Sequence, residues 1–355
     1  MPGHGRVAEQ YAAFSEVTVL GHSALTLPGG PTDAGPFAVR LARDAWAFRG
    51  HIRRTRPQRV IAVTTMLPAL MLAARTERVP LLVYAAELVP VTPGLARRLG
   101  GRLLVRMTRS LADSLACCSE TVARQFAGRG APPLTVAYPP VVEGCAAGDA
   151  ERLRRRLGLP AGAICVAIVG SISSGRGLDV AVRALPALRE RFPDLRLLVA
   201  GEPHPRGADR AYLSAVRKLA EDLGVLDALV FAGFVEGVAD VYAAAAAVVN
   251  PARREGFGRV AIEALSAGRP VVATNVGAIP EVLRDGVDAL LVPPDDPAAL
   301  ATSLSRVLED PELTRRLVAS GAARVRREFS VERRLTRFAA AVAAADGSRW
   351  RTARR

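Results

Sequence analysis

The chain has 355 residues, of which 50% are hydrophobic and 23% are charged, and its formal net charge is +14 at pH 7. This composition excludes a disordered or collagen-like chain, and the length favours two domains. Of the 48 basic residues only Lys218 is a lysine. Because arginine is so common throughout, a cluster of arginines alone carries little functional information.

Cysteine and histidine usage argues against a disulfide framework and against a metal centre. Cys117 and Cys118 are adjacent, Cys145 and Cys165 are scattered, and the four histidines lack metal-ligand spacing. No apolar run reaches the length of a membrane span, and we see no signal peptide. We therefore expect a chain of the cytoplasm that uses no metal and no cofactor.

Short aliphatic segments alternate with longer amphipathic segments along the chain. The predicted strands are 16–20, 60–64, 81–84, 114–117, 135–137, 165–169, 195–200, 229–232, 247–250, 270–273 and 290–292. Helical patterns, such as 179–192 and 210–223, lie between most of them. This alternation predicts an α/β fold with parallel sheets covered by helices on both faces.

A structureless segment divides this pattern near 143–149, and a helix at 150–157 follows it. We predict two doubly wound domains facing a cleft, 1–145 and 150–328. The remaining segment, 329–355, is predicted to hold a helix that packs back toward the first domain, and a basic tail.

The segment 250–274 contains the richest motif. A strand ends at 250, the loop Glu255-Gly256-Phe257-Gly258 follows, and a helix carrying Glu263 runs to a stop at Gly268. Carboxylates accept hydrogen bonds from neighbouring hydroxyls, and a helix start offers N–H groups to an anion. The two acids could hold the two ends of a nucleotide sugar. Alternatively, they are surface acids that the helix dipole favours.

A second Gly/Ser loop follows the strand 165–169. It contains Gly170, Ser171, Arg176 and Gly177, and a helix begins directly after it. Such a strand, loop and helix can cradle a phosphate. The alternative is a plain strand-to-helix turn.

The segment 250–274 resembles the donor-binding signature of the retaining glycosyltransferases of family four, which have the GT-B fold. Glu255 and Glu263 match the Glu-x7-Glu mark of that family. The flanking matches are Gly256, Phe257, Gly258, Ala264, Gly268, Pro270, Val271 and Val272.

The resemblance implies roles for individual residues. Glu263 would bind the ribose, Glu255 would touch the transferred sugar, and the amides of Gly256, Phe257 and Gly258 would meet the phosphates. The turn at Phe234 would border the nucleobase. In the loop after the strand 165–169, the family has two cations that bind the diphosphate. Here Ser171, beside Gly170, stands in place of the first cation, and Arg176 stands in place of the second. The resemblance thus implies Glu255 and Arg176 as the catalytic residues.

The first half matches the family more weakly. Glu87, which we place on the acceptor side, is the nearest candidate for a sugar contact where the family often has a histidine, or else it caps the following loop. Gly3 and Gly5 could form the acceptor loop, or else they belong to a flexible tail. No strand precedes them, so either translation begins further upstream or the first sheet lacks a strand.

The implied reaction moves a sugar, with retained configuration and without a metal, from a UDP- or GDP-sugar to a glycan, lipid-linked or small-molecule acceptor. The alternative is a weak or inactive GT-B protein that binds a nucleotide or serves as a partner subunit. Arginine-rich segments at 40–59 and 97–109 suggest an anionic membrane surface as a further partner, or else a solvated face. Only the high pI suggests nucleic acid, so we expect none as a partner.

Overall fold

The structure, a computed structural model, describes residues 34–89, 95–141, 147–204 and 207–347. It divides into two compact units, and the second is one uninterrupted stretch, Tyr138–Arg334. The first unit contains the chain before this stretch and the chain from Leu335 onward. The chain therefore crosses between the units twice.

Four parallel strands in the described part of the first unit form a sheet in the order β1-β2-β3-β4. Its elements are α1 (Ala34–Thr55), β1 (Val60–Ala62), α2 (Pro68–Thr76), β2 (Leu81–Ala85), α3 (Leu95–Leu111), β3 (Ser114–Cys117), α4 (Glu120–Phe126) and β4 (Leu134–Val136). All side chains of β2 and β3 are buried, as in parallel strands covered on both faces.

The C-terminal helix α13 (Val331–Gly347) packs against the strands of the first unit. The Ser114 hydroxyl of β3 donates a hydrogen bond to the carbonyl of Ala341 at 2.7 Å. The Arg337 guanidinium donates to the carbonyl of Val136 in β4 at 3.1 Å. These bonds attach the last helix to a sheet that is formed some 200 residues earlier in the chain.

The second unit alternates strands and helices around one parallel sheet. Its elements are α5 (Ala150–Leu157), β5 (Ile164–Val169), α6 (Leu178–Arg191), β6 (Leu195–Ala200), α7 (Gly207–Asp222), β7 (Leu229–Gly233), α8 (Ala239–Ala244), β8 (Ala247–Asn250), α9 (Arg259–Ser266), β9 (Val271–Thr274), α10 (Ile279–Val282), β10 (Leu290–Val292), α11 (Pro297–Glu309) and α12 (Pro311–Glu328).

The strand order of this sheet is β7-β6-β5-β8-β9-β10. Numbered within the unit, it is 3-2-1-4-5-6, the order of dinucleotide-binding folds. The order reverses between β5 and β8, which are neighbours in the sheet. Ligands of such sheets bind at the carboxyl ends of the strands beside this reversal, so the loops after β5 and β8 are the expected binding loops.

Local sequence signals explain where the helices of the second unit begin and end. Asp149, Asp296 and Asp310 precede α5, α11 and α12, and each carboxylate accepts an N–H of the first turn. Proline follows at the first position of α11 and α12. Gly158 ends α5 with a φ of 61°, the left-handed conformation that glycine adopts readily.

Leucines of facing helices and strands form the core of the second unit. Leu185 and Leu188 of α6, Leu197 of β6 and Leu300 and Leu304 of α11 are each at most 2% exposed. Burying one such side chain contributes about 1.5–3 kcal/mol relative to leaving it in water. The core therefore fixes the strand ends that carry the binding loops.

The predicted strands 114–117, 195–200, 247–250 and 290–292 have those bounds in the structure. The largest difference is the predicted strand 60–64, which ends at Ala62 because Thr64 and Thr65 turn to hydrogen-bond the Glu87 carboxylate. The predicted strand 16–20 lies outside the described residues. The expectation that the first sheet lacks a strand concerns the chain before Gly5, which also lies outside them. In the described ranges, no helix has the length and apolar character that crossing a membrane requires.

Candidate functional site

The loop after β5 runs beside two neighbours in turn. Its first half follows the end of β6, where the Ile172 N–H donates to the Glu202 carbonyl at 3.0 Å. Its second half forms a 3-10 turn, Ser174–Arg176, and runs beside the loop after β8. Gly170 and Ser171 therefore lie on the β6 side, and Arg176 lies on the β8 side.

The two binding loops approach each other at backbone distance. Gly177 has a φ of 70°, and a Cβ there would stand 1.9 Å from the Pro251 carbonyl oxygen. Gly277, with a φ of 55°, approaches the loop after β8 from β9, where a Cβ would stand 2.0 Å from the Glu255 carbonyl oxygen. Only glycine fits these two positions. The two glycines allow the loops after β5, β8 and β9 to approach one another at backbone distance.

Arg176 and Glu255, the two predicted catalytic residues, form an ion pair between these loops. Arg176 Nη1 donates to Glu255 Oε2 at 2.7 Å, and the Glu255 side chain is only 11% exposed. The other oxygen, Oε1, accepts the N–H groups of Gly256 at 3.1 Å and Phe257 at 3.4 Å. Two of the three amides predicted to meet phosphates therefore donate to the Glu255 carboxylate in this structure, and so does the Arg176 cation.

Glu263 is 6% exposed on α9 and is hydrogen-bonded at both oxygens. The Tyr242 hydroxyl, on the fully buried side chain, donates to Oε2 at 2.9 Å. The Arg259 guanidinium, one turn earlier on α9, donates to Oε1 at 2.9 Å. A buried carboxylate needs such partners, and the Arg259 side chain remains 64% exposed. A ribose would have to share Glu263 with these two donors or displace the exposed one.

Arg253 joins the loop after β8 to the start of α6. Its guanidinium donates to both oxygens of Asp179, at 2.9 and 2.7 Å, and to the Ser174 carbonyl at 2.6 Å. Burial alone would raise the pKa of Asp179, but hydrogen bonds from Arg253 and from the Tyr212 hydroxyl bring that pKa below its ordinary value. The carboxylate therefore stays charged, and the bridge between the loops stays intact, at neutral pH.

Phe234 lies at the end of β7, on the far side of β6 from β5. Its side chain is 56% exposed. Its N–H donates to Glu202 Oε1 at 3.3 Å. The structure thus places the predicted nucleobase residue apart from the ion pair of Arg176 and Glu255, along the same edge of the sheet.

Glu87 follows β2 in the first unit, where it receives three hydrogen bonds. The Thr64 hydroxyl, the Thr65 hydroxyl and the Thr65 N–H all donate to Oε1, at 2.7, 2.7 and 2.9 Å. Within the described ranges, no donor reaches Oε2. The other two predicted acceptor residues, Gly3 and Gly5, lie outside the described residues.

Among the described residues, no group of three or more histidine, cysteine, aspartate or glutamate side chains could hold a metal ion.

Sequence reasoning missed Arg253, Asp179, Tyr212 and Tyr242. Arg253 lies two residues before Glu255, and Asp179 lies two after Gly177, so both border motifs that the sequence singles out. The tyrosines have no local signal, because each belongs to another helix, α7 or α8, that only the fold brings to the site.

Residues 149–324, which contain both binding loops, match the family described as glycosyl transferases group 1. A curated D-inositol 3-phosphate glycosyltransferase of Acidothermus cellulolyticus is 38% identical over 226 residues, 61% of this chain and 50% of that protein. A protein of the same name from Actinosynnema mirum is 39% identical over 230 residues, 62% of this chain and 55% of that protein. The chain thus spans about half the length of these curated relatives.

Solved structures show the same fold at lower identity. Sucrose-phosphate synthase from Thermosynechococcus elongatus aligns with a TM-score of 0.76 at 22% identity, covering 92% of this chain and 84% of that one. Anabaena HepE, solved with UDP and glucose, aligns with a TM-score of 0.72 at 20% identity, covering 90% and 84%. The fold is therefore the predicted GT-B fold, with two Rossmann-like units. Through residues 149–324, the chain belongs to the family of the group 1 glycosyl transferases.

Proposed function

We propose that this chain transfers a glycosyl group from a UDP- or GDP-sugar to an acceptor hydroxyl, with retained anomeric configuration. The observation that carries the proposal is the ion pair of Arg176 and Glu255, 2.7 Å long, in the loops beside the strand reversal. Both residues lie in the segment that matches the family. This pair joins a cation suited to phosphate and a carboxylate suited to sugar hydroxyls.

The difficult step of such a transfer is departure of the nucleotide diphosphate. Arg176 and the N–H groups of Gly256 and Phe257 supply donors for the developing negative charge. In the structure the Glu255 carboxylate occupies these same donors. We infer that the diphosphate of the nucleotide sugar replaces the Glu255 carboxylate at Arg176 and at these N–H groups. The released Glu255 carboxylate then contacts the transferred sugar. The proposed reaction requires no metal, because Arg176 and the helix start provide the positive charge.

The acceptor is proposed to present hydroxyl groups to Glu87. Three donors fix Oε1 of this carboxylate, and Oε2, which no donor in the described part of the chain reaches, is left to accept a hydrogen bond from a hydroxyl. The name of the curated relatives, D-inositol 3-phosphate glycosyltransferase, favours a small phosphorylated polyol, and glycan and lipid-linked acceptors remain in the proposal. Cys117, Cys118 and Cys165 are buried and form no disulfide, in keeping with the reducing cytoplasm where we propose that the chain acts.

An anionic membrane surface is proposed as a further partner of the first unit. On α3, Leu99 and Leu103 are exposed, at 53% and 57%, and Arg102 and Arg106 are exposed on the same face. Apolar and cationic side chains on one helix face suit an anionic bilayer. Sedimentation with vesicles containing phosphatidylglycerol tests this. We expect co-sedimentation that Leu103→Gln weakens, and absence of binding at every lipid ratio would end the membrane proposal.

The function is tested with a donor panel of UDP-glucose, UDP-galactose, UDP-N-acetylglucosamine and GDP-mannose. Release of UDP or GDP is measured first with water and then with inositol 3-phosphate as acceptor. We expect one donor to be consumed and the product to keep the donor's anomeric configuration by NMR. Inversion would refute retention, and failure to consume or bind any nucleotide sugar would refute the proposed function.

Ser171 favours one alternative, a weak or inactive protein that binds nucleotide. A serine replaces a cation in the loop after β5, so the diphosphate would lose one source of charge. This alternative predicts that UDP or GDP raises the melting temperature although no nucleotide sugar is turned over. Restored turnover in Ser171→Arg would identify the missing cation as the cause.

A further inference from the structure

Arg253 is the side chain that holds the two binding loops together. Its Nη1 donates to the Ser174 carbonyl and to Asp179 Oδ1, and its Nη2 donates to Asp179 Oδ2. Its Nε donates to Asp295 Oδ1 at 2.6 Å. Its backbone N–H donates to the Gly175 carbonyl at 3.0 Å. One residue of the loop after β8 thus bonds four residues elsewhere in the unit.

These acceptors require an arginine. The planar guanidinium offers donors in a fixed fork, which can meet both oxygens of one carboxylate and still reach further acceptors. A lysine would bring the charge but not this geometry. The Asp179 side chain is only 18% exposed and Arg253 is 30% exposed, so water competes weakly for the pair.

Arg253 bonds the two residues that immediately precede Arg176 in the chain. Ser174 and Gly175 form the 3-10 turn that presents Arg176, and both of their carbonyls are held by Arg253. Arg253 itself lies two residues before Glu255. The same side chain therefore fixes the supports of both partners in the ion pair of Arg176 and Glu255.

We infer that Arg253 is a positioning residue, which sets the place of Arg176 relative to Glu255 and to the phosphates of the donor. Arg253 acts through Arg176 and does not itself touch the donor. This inference rests on the proposed function. Because a displacement of about 1 Å can cost on the order of 10²-fold in rate, a loosened loop should lower turnover even in a folded protein.

The second unit offers a matched control in Arg284 and Asp288. Arg284 also donates to both oxygens of one buried aspartate, at 2.8 and 2.7 Å. These residues precede β10 and bond each other and Ser320 of α12, and none of these bonds involves a residue of the two binding loops. Losing Arg284 removes a similar ion pair without touching the supports of Arg176.

The experiment compares wild type, Arg253→Gln, Arg253→Lys, Arg284→Gln, Arg176→Gln and the double variant Arg176→Gln/Arg253→Gln. The donor is the nucleotide sugar that wild type consumes, and kcat, donor KM and urea unfolding are measured. We expect Arg253→Gln to lower kcat about 10- to 100-fold. Arg253→Lys should recover stability more than kcat. Arg284→Gln should lower stability and leave kcat within about threefold of wild type.

The double variant tests the route of the effect. If Arg253 acts through Arg176, adding Arg253→Gln to Arg176→Gln lowers kcat by less than about threefold, because coupled residues are not additive. Should Arg253→Gln fail to fold, Asp179→Asn replaces it in the same comparison. If the two losses of kcat multiply in the double variant, or if Arg253→Gln has a normal kcat, this inference is overturned but the proposed function is not. Absence of turnover and of nucleotide binding in wild type would overturn the proposed function as well.

Discussion

The two sheets carry different chemistry at the carboxyl ends of their strands. In the second unit, the loops after β5 and β8 bring together a cation, a carboxylate and two backbone N–H groups. In the first unit, the ends of β1 and β2 bring two threonine hydroxyls to the Glu87 carboxylate. A cation with amides suits an anionic diphosphate, whereas hydroxyls and a carboxylate suit the hydroxyl groups of a polyol. Variants should therefore separate donor effects from acceptor effects.

Glu255→Gln should have the largest effect on the donor side. The amide keeps the size of the carboxylate but loses the charge that pairs with Arg176 and that we propose strengthens hydrogen bonds from the sugar hydroxyls. We expect transfer to fall at least about 10²-fold, as when a positioned polar group is lost from an active site. Steady-state kinetics with the consumed donor measures it, and near wild-type kcat/KM would contradict the assignment of Glu255.

Glu87→Gln should act on the acceptor side instead. The amide oxygen can still accept the hydrogen bonds of Thr64 and Thr65, but the open position becomes a donor. We expect acceptor KM to rise about 10-fold, the cost of losing a hydrogen bond to a charged group. Affinity for UDP or GDP should stay unchanged. A loss of nucleotide affinity would contradict the proposal that the first unit binds the acceptor and the second unit binds the nucleotide sugar. Thr64→Val removes one of the bonds that fix Oε1 but keeps the charge of Glu87, so it measures how much of the effect comes from the position of the carboxylate.

Tyr242→Phe should have a smaller effect, on the donor side. The variant removes only the hydroxyl that donates to Glu263 Oε2. Because that bond orients a buried carboxylate, we expect nucleotide affinity to fall about threefold to 10-fold and stability to fall by about 1 kcal/mol. Calorimetric titration and urea unfolding measure the two effects. Unchanged affinity would show that Glu263 does not bind the ribose.

The smallest effect concerns the acid stability of the second unit. The pKa of Asp179 is lower in the folded chain, because hydrogen bonds from Arg253 and Tyr212 outweigh its burial. Its contribution to stability is therefore complete above the unfolded pKa, about 4. It is lost as the pH falls through the folded value. Asp179→Asn should thus differ from wild type above pH 4 and converge with it in stronger acid. A constant difference in urea unfolding down to pH 2 would contradict this.

The sequence predicts the fold well because its signals are local. Continuous apolar runs give the buried parallel strands, and Gly268 gives the end of α9 with a φ of 73°. Local motifs also single out Arg176 and Glu255 one by one, since each lies beside a glycine in a loop that precedes a helix. The resemblance to the family implies the role of each residue, and only the fold shows that their side chains form an ion pair.

The supporting contacts could not be predicted from the sequence. Arg253 lies 74 residues from Asp179, and Tyr242 lies 21 residues from Glu263. Neither pair has a spacing that a helix or strand period would reveal. The early end of β1 has the same origin, because the Glu87 carboxylate that draws Thr64 and Thr65 out of the strand is more than 20 residues away.

The central claim is that a nucleoside diphosphate binds the loops after β5 and β8 through Arg176. Calorimetric titration of UDP and of GDP into wild type, Arg176→Gln and the remote Arg284→Gln tests it most directly. One nucleotide should bind wild type and Arg284→Gln alike and bind Arg176→Gln at least about 10-fold more weakly, since a charge-assisted phosphate contact is lost. Equal binding by Arg176→Gln, or no binding by wild type, would contradict the claim.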